Sequence, residues 1–190
     1  MSRSSMSSAS VAQEGPASRL VTLPAWPWDP VDSRGPLTLG WEAITWAEEW
    51  LVQPNGPRAG QPLRLTGDQQ DFLLWWYALD HDGRWLYQHG VRRLAKGSGK
   101  SPFAAILALI EFCAPVRLKR KDSREPGGCV GRPVDMPWVQ IAATAESQTT
   151  NTMRMVRAFA PKGSKVVAEY GLDPGKTRYY KLPEGILEII

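Results

Sequence analysis

The chain has 190 residues, of which 43% are hydrophobic and 22% charged, so it is long enough and apolar enough to build a globular core. Its longest apolar run, residues 103–110, is too short to cross a membrane, and residues 1–18 lack the apolar stretch of a secretory signal. The net charge of +4 permits a nucleotide or nucleic-acid partner without requiring one.

The first third of the chain predicts an arm followed by two helices. Serines and then prolines dominate residues 1–36, which predicts a flexible N-terminal arm, and residues 37–190 form the predicted domain. Apolar residues recur at helical spacing over residues 39–52. A second, buried helix should begin near Thr66, because Thr66 and Gln69 have the spacing of a capping box, in which two side chains satisfy backbone N–H groups at a helix start.

The rest of the chain alternates predicted strands and helices, which indicates an α/β fold with crossover connections. The predicted elements, in order, are a strand (85–94), an apolar helix (101–114), a basic glycine-rich loop (117–136), a strand (138–144), a helix (146–159) and a hairpin of two strands (165–170 and 177–182). Cys113 and Cys129 have no metal-type spacing and are expected to be reduced thiols. The two histidines, His81 and His89, lack plausible metal partners.

A phosphate-binding motif lies between the first predicted strand and the apolar helix. Its residues are Gly97, Ser98, Gly99, Lys100 and Ser101. Glycines let backbone N–H groups approach phosphate oxygens, and the helix start adds unpaired N–H groups and a positive dipole end. Lys100 would reach the β- and γ-phosphates, and the Ser101 hydroxyl would be a ligand of Mg²⁺, so the expected cofactors are ATP and Mg²⁺. Leu94 replaces the first glycine of the standard pattern, and a glycine-rich turn with a solvated lysine is the alternative.

Residues 93–102 resemble the deviant Walker A loop of the terminase large subunits of tailed phages, especially those of actinobacteria. That loop commonly lacks the first glycine and has a basic residue four positions before its lysine, which here is Lys96. Residues 65–69 resemble the adenine-contacting segment of these ATPases, so Gln69 would read the adenine edge. A purely capping role for Gln69 and a contact through Gln70 are the alternatives. Residues 138–152 are similar to the family's next strand and helix.

The resemblance implies an incomplete P-loop NTPase of the α/β class, with three layers and a mostly parallel sheet flanked by helices. The chain would be the ATP-binding portion of a viral DNA-packaging terminase large subunit and would help to power DNA translocation in the cytoplasm of an infected bacterial host. Its expected partners are ATP, double-stranded DNA, the remainder of the terminase or another subunit, the small terminase subunit and the portal. No membrane partner is expected.

The family hydrolyses ATP with an apolar strand that ends in Asp and is followed by a catalytic Glu. No such segment follows the motif here, so we expect the chain to stop before it, we assign no catalytic residue and we leave open whether this chain alone hydrolyses ATP. Two other hypotheses stay open. One is a P-loop enzyme of another class, helicase-like or kinase-like, and the other is a non-enzymatic DNA-binding or scaffold protein that uses the basic residues 117–124.

Overall fold

Helices and short strands alternate along the chain in the computed structural model, which describes residues 37–190; the predicted arm, residues 1–36, lies outside the described residues. The helices are α1 (Gly40–Trp50), α2 (Gly67–Trp76), α3 (Lys100–Cys113), α4 (Glu146–Phe159) and α5 (Lys165–Glu169), with a 3₁₀ turn at Pro126–Gly128. The strands are β1 (Leu37–Thr38), β2 (Ala78–Leu79), β3 (Arg117–Lys121), β4 (Cys129–Arg132), β5 (Trp138–Ile141), β6 (Leu172–Pro174), β7 (Arg178–Lys181) and β8 (Gly185–Ile189).

Helix α3 lies at the centre of the hydrophobic core, because its sequence is apolar on nearly every side. It packs against α4 and α1 and against strands β5 and β8. Each large side chain that it buries contributes about 1.5–3 kcal/mol of hydrophobic stabilisation. Its buried large side chains are Phe103, Ile106, Leu109, Ile110 and Phe112. The helix that follows the phosphate-binding motif is therefore firmly anchored.

Helices α1 and α2 approach each other closely at a glycine. A Cβ atom on Gly40 would lie 2.5 Å from the Cα atom of Leu74, so only glycine fits at this crossing. The Thr38 hydroxyl supports the same contact, since it donates to the Leu74 carbonyl (2.6 Å) and accepts from the Gly40 N–H (3.0 Å). This packing fixes α2, the helix that carries Gln69, on the rest of the core.

The main sheet has four strands in the order β5–β8–β7–β6. Strands β5 and β8 are parallel, whereas the β8–β7 and β7–β6 pairs are antiparallel. The β1–β2 and β3–β4 pairs form separate antiparallel sheets. The α/β class is therefore confirmed, but the expectation of a mostly parallel sheet is wrong for the described residues. Hairpin connections between β6, β7 and β8 replace the helical crossovers that a parallel sheet needs.

Three further predictions need correction. Residues 85–94 form no strand: Trp85 makes a single bridge to Leu79 of the two-residue strand β2, and residues 87–94 pair with no described strand. Residues 117–136 contain the β3–β4 hairpin and are not a continuous loop. Residues 165–170 are mostly helical, and Leu172–Pro174 pairs with β7 in their place.

The helix predictions agree with the structure. Residues 39–52 contain α1, residues 101–114 coincide with α3 to within one residue, and residues 146–159 match α4. The predicted strand at 138–144 contains β5 and then leads into α4. The helix of the candidate site was therefore predicted correctly, whereas the strand before it and the loop after it were not.

Candidate phosphate-binding site

The loop before α3 owes its shape to two glycines with left-handed backbone conformation. Gly97 has φ 85° and Gly99 has φ 79°, values that residues with a side chain rarely adopt. A Cβ atom at either position would meet no other atom within 4 Å. Backbone conformation, and not lack of space, therefore requires glycine at both positions, and the space above the loop is open.

The N-terminus of α3 presents backbone donors that no side chain satisfies. Gly99 is the N-cap residue, and its carbonyl accepts the first helical bond, from the Phe103 N–H at 3.0 Å. Within the described residues, the N–H groups of Gly99, Lys100 and Ser101 have no hydrogen-bond partner. The first turn of α3 also contains no acidic residue. Unpaired N–H groups at the positive end of a helix dipole form a site for an anion, and phosphate fits it.

The Lys100 side chain folds back over the loop that precedes it. Its Nζ atom donates to the carbonyl oxygens of Leu94 (3.0 Å) and Ala95 (2.7 Å). The Ser98 hydroxyl donates to the same Ala95 carbonyl at 2.6 Å and closes the turn. The lysine is exposed, so a bound phosphate could take the place of the two carbonyls as its hydrogen-bond acceptor.

Ser101 is half-buried at the start of α3, and its hydroxyl makes no hydrogen bond within the described residues. A hydroxyl oxygen is a hard ligand of the kind that Mg²⁺ prefers, and Mg²⁺ usually takes its remaining ligands from phosphates and water. Residues 37–190 contain no group of three or more His, Cys, Asp or Glu side chains that could hold a metal ion. The Ser101 hydroxyl would supply one ligand to such an ion.

Gln69 forms the predicted capping box with Thr66. Its Oε1 atom accepts from the Thr66 N–H at 3.0 Å, and the Thr66 hydroxyl accepts from the Gln69 N–H at 3.4 Å. The Gln69 Nε2 group has no partner among the described residues, and an amide oxygen has a second lone pair, so capping and contact with a base are compatible. The alternative, Gln70, is less available because its amide contacts Glu48 at 3.5 Å.

Helix α2 packs directly against the flanks of the phosphate-binding motif. The Phe72 ring meets the Phe103 ring edge-to-face, with centroids 5.4 Å apart. Asp68, next to Gln69 in the sequence, pairs with Arg92 at 2.9 Å. Arg92 was missed by reasoning from sequence, since nothing in the local pattern marks it. The structure brings the helix that carries Gln69 against the first turn of α3, while Lys96 stays exposed at the mouth of the loop.

Three of the five basic residues in 117–124 pair with acidic neighbours, whereas Lys119 and Lys121 have no acidic partner among the described residues. Arg117 pairs with Glu111 at 2.8 Å, and Arg120 and Arg124 both pair with Asp122 at 3.0 Å. The hydrogen bond from the Arg124 side chain lowers the pKa of Asp122 to about 2. Because Arg120 and Arg124 share one carboxylate and the two lysines have no acidic partner, the hairpin keeps a net positive charge and the DNA-binding hypothesis stays open.

Cys113 and Cys129 are both free thiols, which confirms the expectation of reduced cysteines. Burial raises the pKa of each thiol to about 12. A thiol with such a pKa stays protonated at neutral pH and is a poor nucleophile or metal ligand. These cysteines are therefore packing residues of the core.

Two curated phage proteins are similar to this chain in sequence. No known family profile matches it. It is 34% identical over 170 residues to the Gene 13 protein of Mycobacterium phage D29, and 35% identical over 171 residues to that of Mycobacterium phage L5. Each match covers 80% of this chain and 28% of the relative, so the chain spans about a quarter of the length of these curated relatives.

The fold is similar to part of the crystal structure of the HK97 bacteriophage large terminase. The TM-score is 0.57 at 18% sequence identity, and the match covers 81% of this chain and 27% of that chain. Among residues 37–190, no helix has the length and apolar character needed to cross a bilayer. The chain therefore has phage relatives and shares its fold with a segment of a phage large terminase.

Proposed function

We propose that this chain is the ATP-binding part of a phage terminase motor, and that residues 96–101 hold the phosphates of ATP. The observation that carries the proposal is the uncapped start of α3, where Gly99, Lys100 and Ser101 present free N–H groups beside an exposed lysine. The fold similarity to the HK97 large terminase supports a terminase over other P-loop classes.

Each residue of the site has a defined proposed role. The N–H groups of residues 99–101 donate to phosphate oxygens, and the Lys100 ammonium exchanges the Leu94 and Ala95 carbonyls for the β- and γ-phosphates. The Ser101 hydroxyl ligates Mg²⁺, which neutralises phosphate charge when bound. Lys96 adds a further positive charge at the mouth of the loop. Gln69 contacts the adenine edge through its free amide group.

The proposal extends to the assembly in which such a motor works. A terminase motor acts on double-stranded DNA together with the rest of its large subunit, the small subunit and the portal, in the cytoplasm of the infected host. These partners are proposed from the motif and from the similarity to a phage large terminase. A kinase-like P-loop protein would instead transfer phosphate to a small acceptor, and a DNA-binding scaffold would bind DNA regardless of Lys100.

Calorimetric titration with Mg²⁺–ATP tests the proposal directly. Lys100→Ala should weaken ATP binding by about tenfold or more, because it removes charge-assisted hydrogen bonds to phosphate. Lys162→Ala is the matched control, since Lys162 is also exposed and its side chain makes no hydrogen bond or ion pair within the described residues. Equal binding by the wild type and Lys100→Ala, or no binding by the folded wild type, would contradict the proposal. Phosphate release measured in the same samples shows whether this chain hydrolyses ATP by itself.

A further inference from the structure

Arg92 lies at the junction of the two helices that form the proposed site. Its guanidinium carbon is 4.4 Å from the centre of the Phe103 ring in the first turn of α3 and 5.5 Å from the Phe72 ring of α2. Its NH2 group pairs with Asp68 in the first turn of α2 at 2.9 Å. One side chain thus touches both helices just before the chain enters the phosphate-binding loop.

This arginine is buried far more than a surface ion pair requires. Its side chain is 19% exposed, whereas that of Asp68 is 81% exposed. Its NH1 group is buried and has no hydrogen-bond partner within the described part of the chain. A buried polar group without a partner weakens the fold, and a cation near a helix N-terminus is poorly placed with respect to the dipole. Its contacts with Asp68, Phe72 and Phe103 therefore have to offset the cost of burying the guanidinium.

We propose that Arg92 is a positioning residue that couples the base end of the nucleotide site to its phosphate end. This inference rests on the proposed ATP-binding function. Arg92 holds α2, and with it Gln69, in a fixed position relative to the first turn of α3. Its planar guanidinium stacks on the aromatic rings in a way that a lysine ammonium cannot reproduce.

The two ends of the site should respond differently to loss of this residue. The phosphate contacts come from the loop itself, through Lys100 and the free N–H groups before Phe103. The base contact comes from Gln69, which reaches the site only through the packing of α2. Loss of Arg92 should therefore weaken the binding of ATP more than the binding of tripolyphosphate, which has no base.

The experiment compares Mg²⁺–ATP, Mg²⁺–GTP and Mg²⁺–tripolyphosphate binding across variants of the full 190-residue chain. Arg92→Ala should lower ATP affinity about tenfold and leave tripolyphosphate affinity within about twofold, so that the preference for ATP over GTP is lost. Arg92→Lys should recover part of the preference. Asp68→Asn, which breaks only the ion pair, should cause a smaller loss of about threefold. Arg154→Ala is the control, because Arg154 is exposed on α4 and its side chain makes no hydrogen bond or ion pair in residues 37–190.

The outcomes separate this inference from the proposed function. If ATP and tripolyphosphate affinities fall together in Arg92→Ala, the residue is merely structural and the inference is overturned. If the ATP to GTP ratio is unchanged while Lys100→Ala abolishes binding, the inference fails and the proposed function stands. If the wild type binds none of the three, the proposed function fails.

If the wild type binds none of the three ligands, hydrogen exchange of the ligand-free chain still tests whether Arg92 couples the two helices. Arg92→Ala should accelerate the exchange of the hydrogen-bonded amides of Gln69, Gln70 and Phe103, because Arg92 contacts the starts of both helices. Thermal unfolding of the same variant shows whether it remains folded. Faster exchange only around position 92, with both helix starts unchanged, would overturn the coupling.

Discussion

The N-termini of α2 and α3 lie against each other through Phe72 and Phe103, yet they satisfy their backbone donors in opposite ways. At the start of α2, the Thr66 hydroxyl accepts a hydrogen bond from the Gln69 N–H, and the Gln69 amide oxygen accepts one from the Thr66 N–H. Asp68 places a negative charge in that first turn. At the start of α3, a glycine replaces the capping side chain and no acidic residue follows.

The comparison shows which helix N-termini have a carboxylate of the chain nearby and which one has none. Helices α1, α2 and α4 each have an acidic residue in the first turn, whereas α3 has Lys100 there. A helix start that has no internal acceptor and is flanked by a lysine is stabilised when a phosphate supplies the missing charge. Helices α1 and α4 also lack a capping side chain, so what distinguishes α3 among the long helices of the described residues is a first turn with a lysine and no acidic residue.

The largest expected effect comes from the same substitution made at both helix starts. Gly99→Ala forces a side chain into a left-handed conformation, which should cost about 1–2 kcal/mol of stability and weaken ATP binding about tenfold. Gly67→Ala meets no atom and has no positive φ, so it should be neutral or stabilise the chain by up to about 1 kcal/mol. Urea unfolding and ATP titration measure both. If both variants changed stability and ATP affinity equally, the proposed difference between the two helix N-termini would be contradicted.

Ser101→Ala should remove the contribution of Mg²⁺ to nucleotide binding. The Ser101 hydroxyl is the proposed ligand of Mg²⁺, so ATP affinity in Mg²⁺ should fall about tenfold. Affinity in the presence of a chelator should stay the same, because the N–H groups and Lys100 are intact. A titration with and without Mg²⁺ checks this, and an equal loss under both conditions would assign Ser101 a structural role.

Thr66→Ala tests the N-terminus of α2, which the capping box satisfies. Loss of the capping box should lower stability by about 1 kcal/mol and the melting temperature by about 2–4 °C. Tripolyphosphate affinity should not change, since the donors at α3 are untouched. Thermal unfolding and a tripolyphosphate titration measure the two quantities. If Thr66→Ala instead bound tripolyphosphate at the start of α2, any uncapped helix N-terminus in this chain would be enough to bind the anion.

The smallest effect concerns Asp122, whose pKa is lowered to about 2 by the side-chain hydrogen bond from Arg124. A carboxyl whose pKa is lower in the folded state stabilises the fold above its ordinary pKa of about 4 and loses that contribution as the pH falls towards 2. Asp122→Asn should therefore flatten the loss of stability between about pH 4 and pH 2. Nucleotide affinity at neutral pH should remain that of the wild type. Unfolding curves across this range, with Asp173→Asn as the surface control, measure the change.

The sequence predicted the elements that depend on neighbouring residues, and it failed for strands, which depend on pairing with distant parts of the chain. The capping box and the helices α3 and α4 depend on residues a few positions apart, and all were predicted. Residues 85–94 have strand-like composition, but pairing depends on a distant strand that the described residues do not place beside them. Val166 and Val167 were interpreted as a strand, yet both are buried, and adjacent residues on a strand face opposite sides.

The same distinction holds for the candidate site. Residues 97–101 form a contiguous motif, so the loop and its lysine could be identified from sequence. Arg92 could not, because its contacts with Asp68 and Phe103 arise only when α2 packs on α3. The capping role of Gln69 followed from its spacing to Thr66. Its contact with a base remains a prediction.

The most direct test of the central claim is an NMR titration of backbone amide shifts with Mg²⁺–tripolyphosphate. The account predicts that the amides of Gly97, Gly99, Lys100 and Ser101 shift progressively, whereas those of Gly67 to Gln69 stay in place. The start of α2 has the negative Asp68 and a capped Gln69 N–H, whereas the start of α3 has no acidic residue and carries Lys100. Lys100→Ala should suppress these shifts and Lys162→Ala should not. Unchanged amides at 97–101, or equal shifts at both helix starts, would contradict the account.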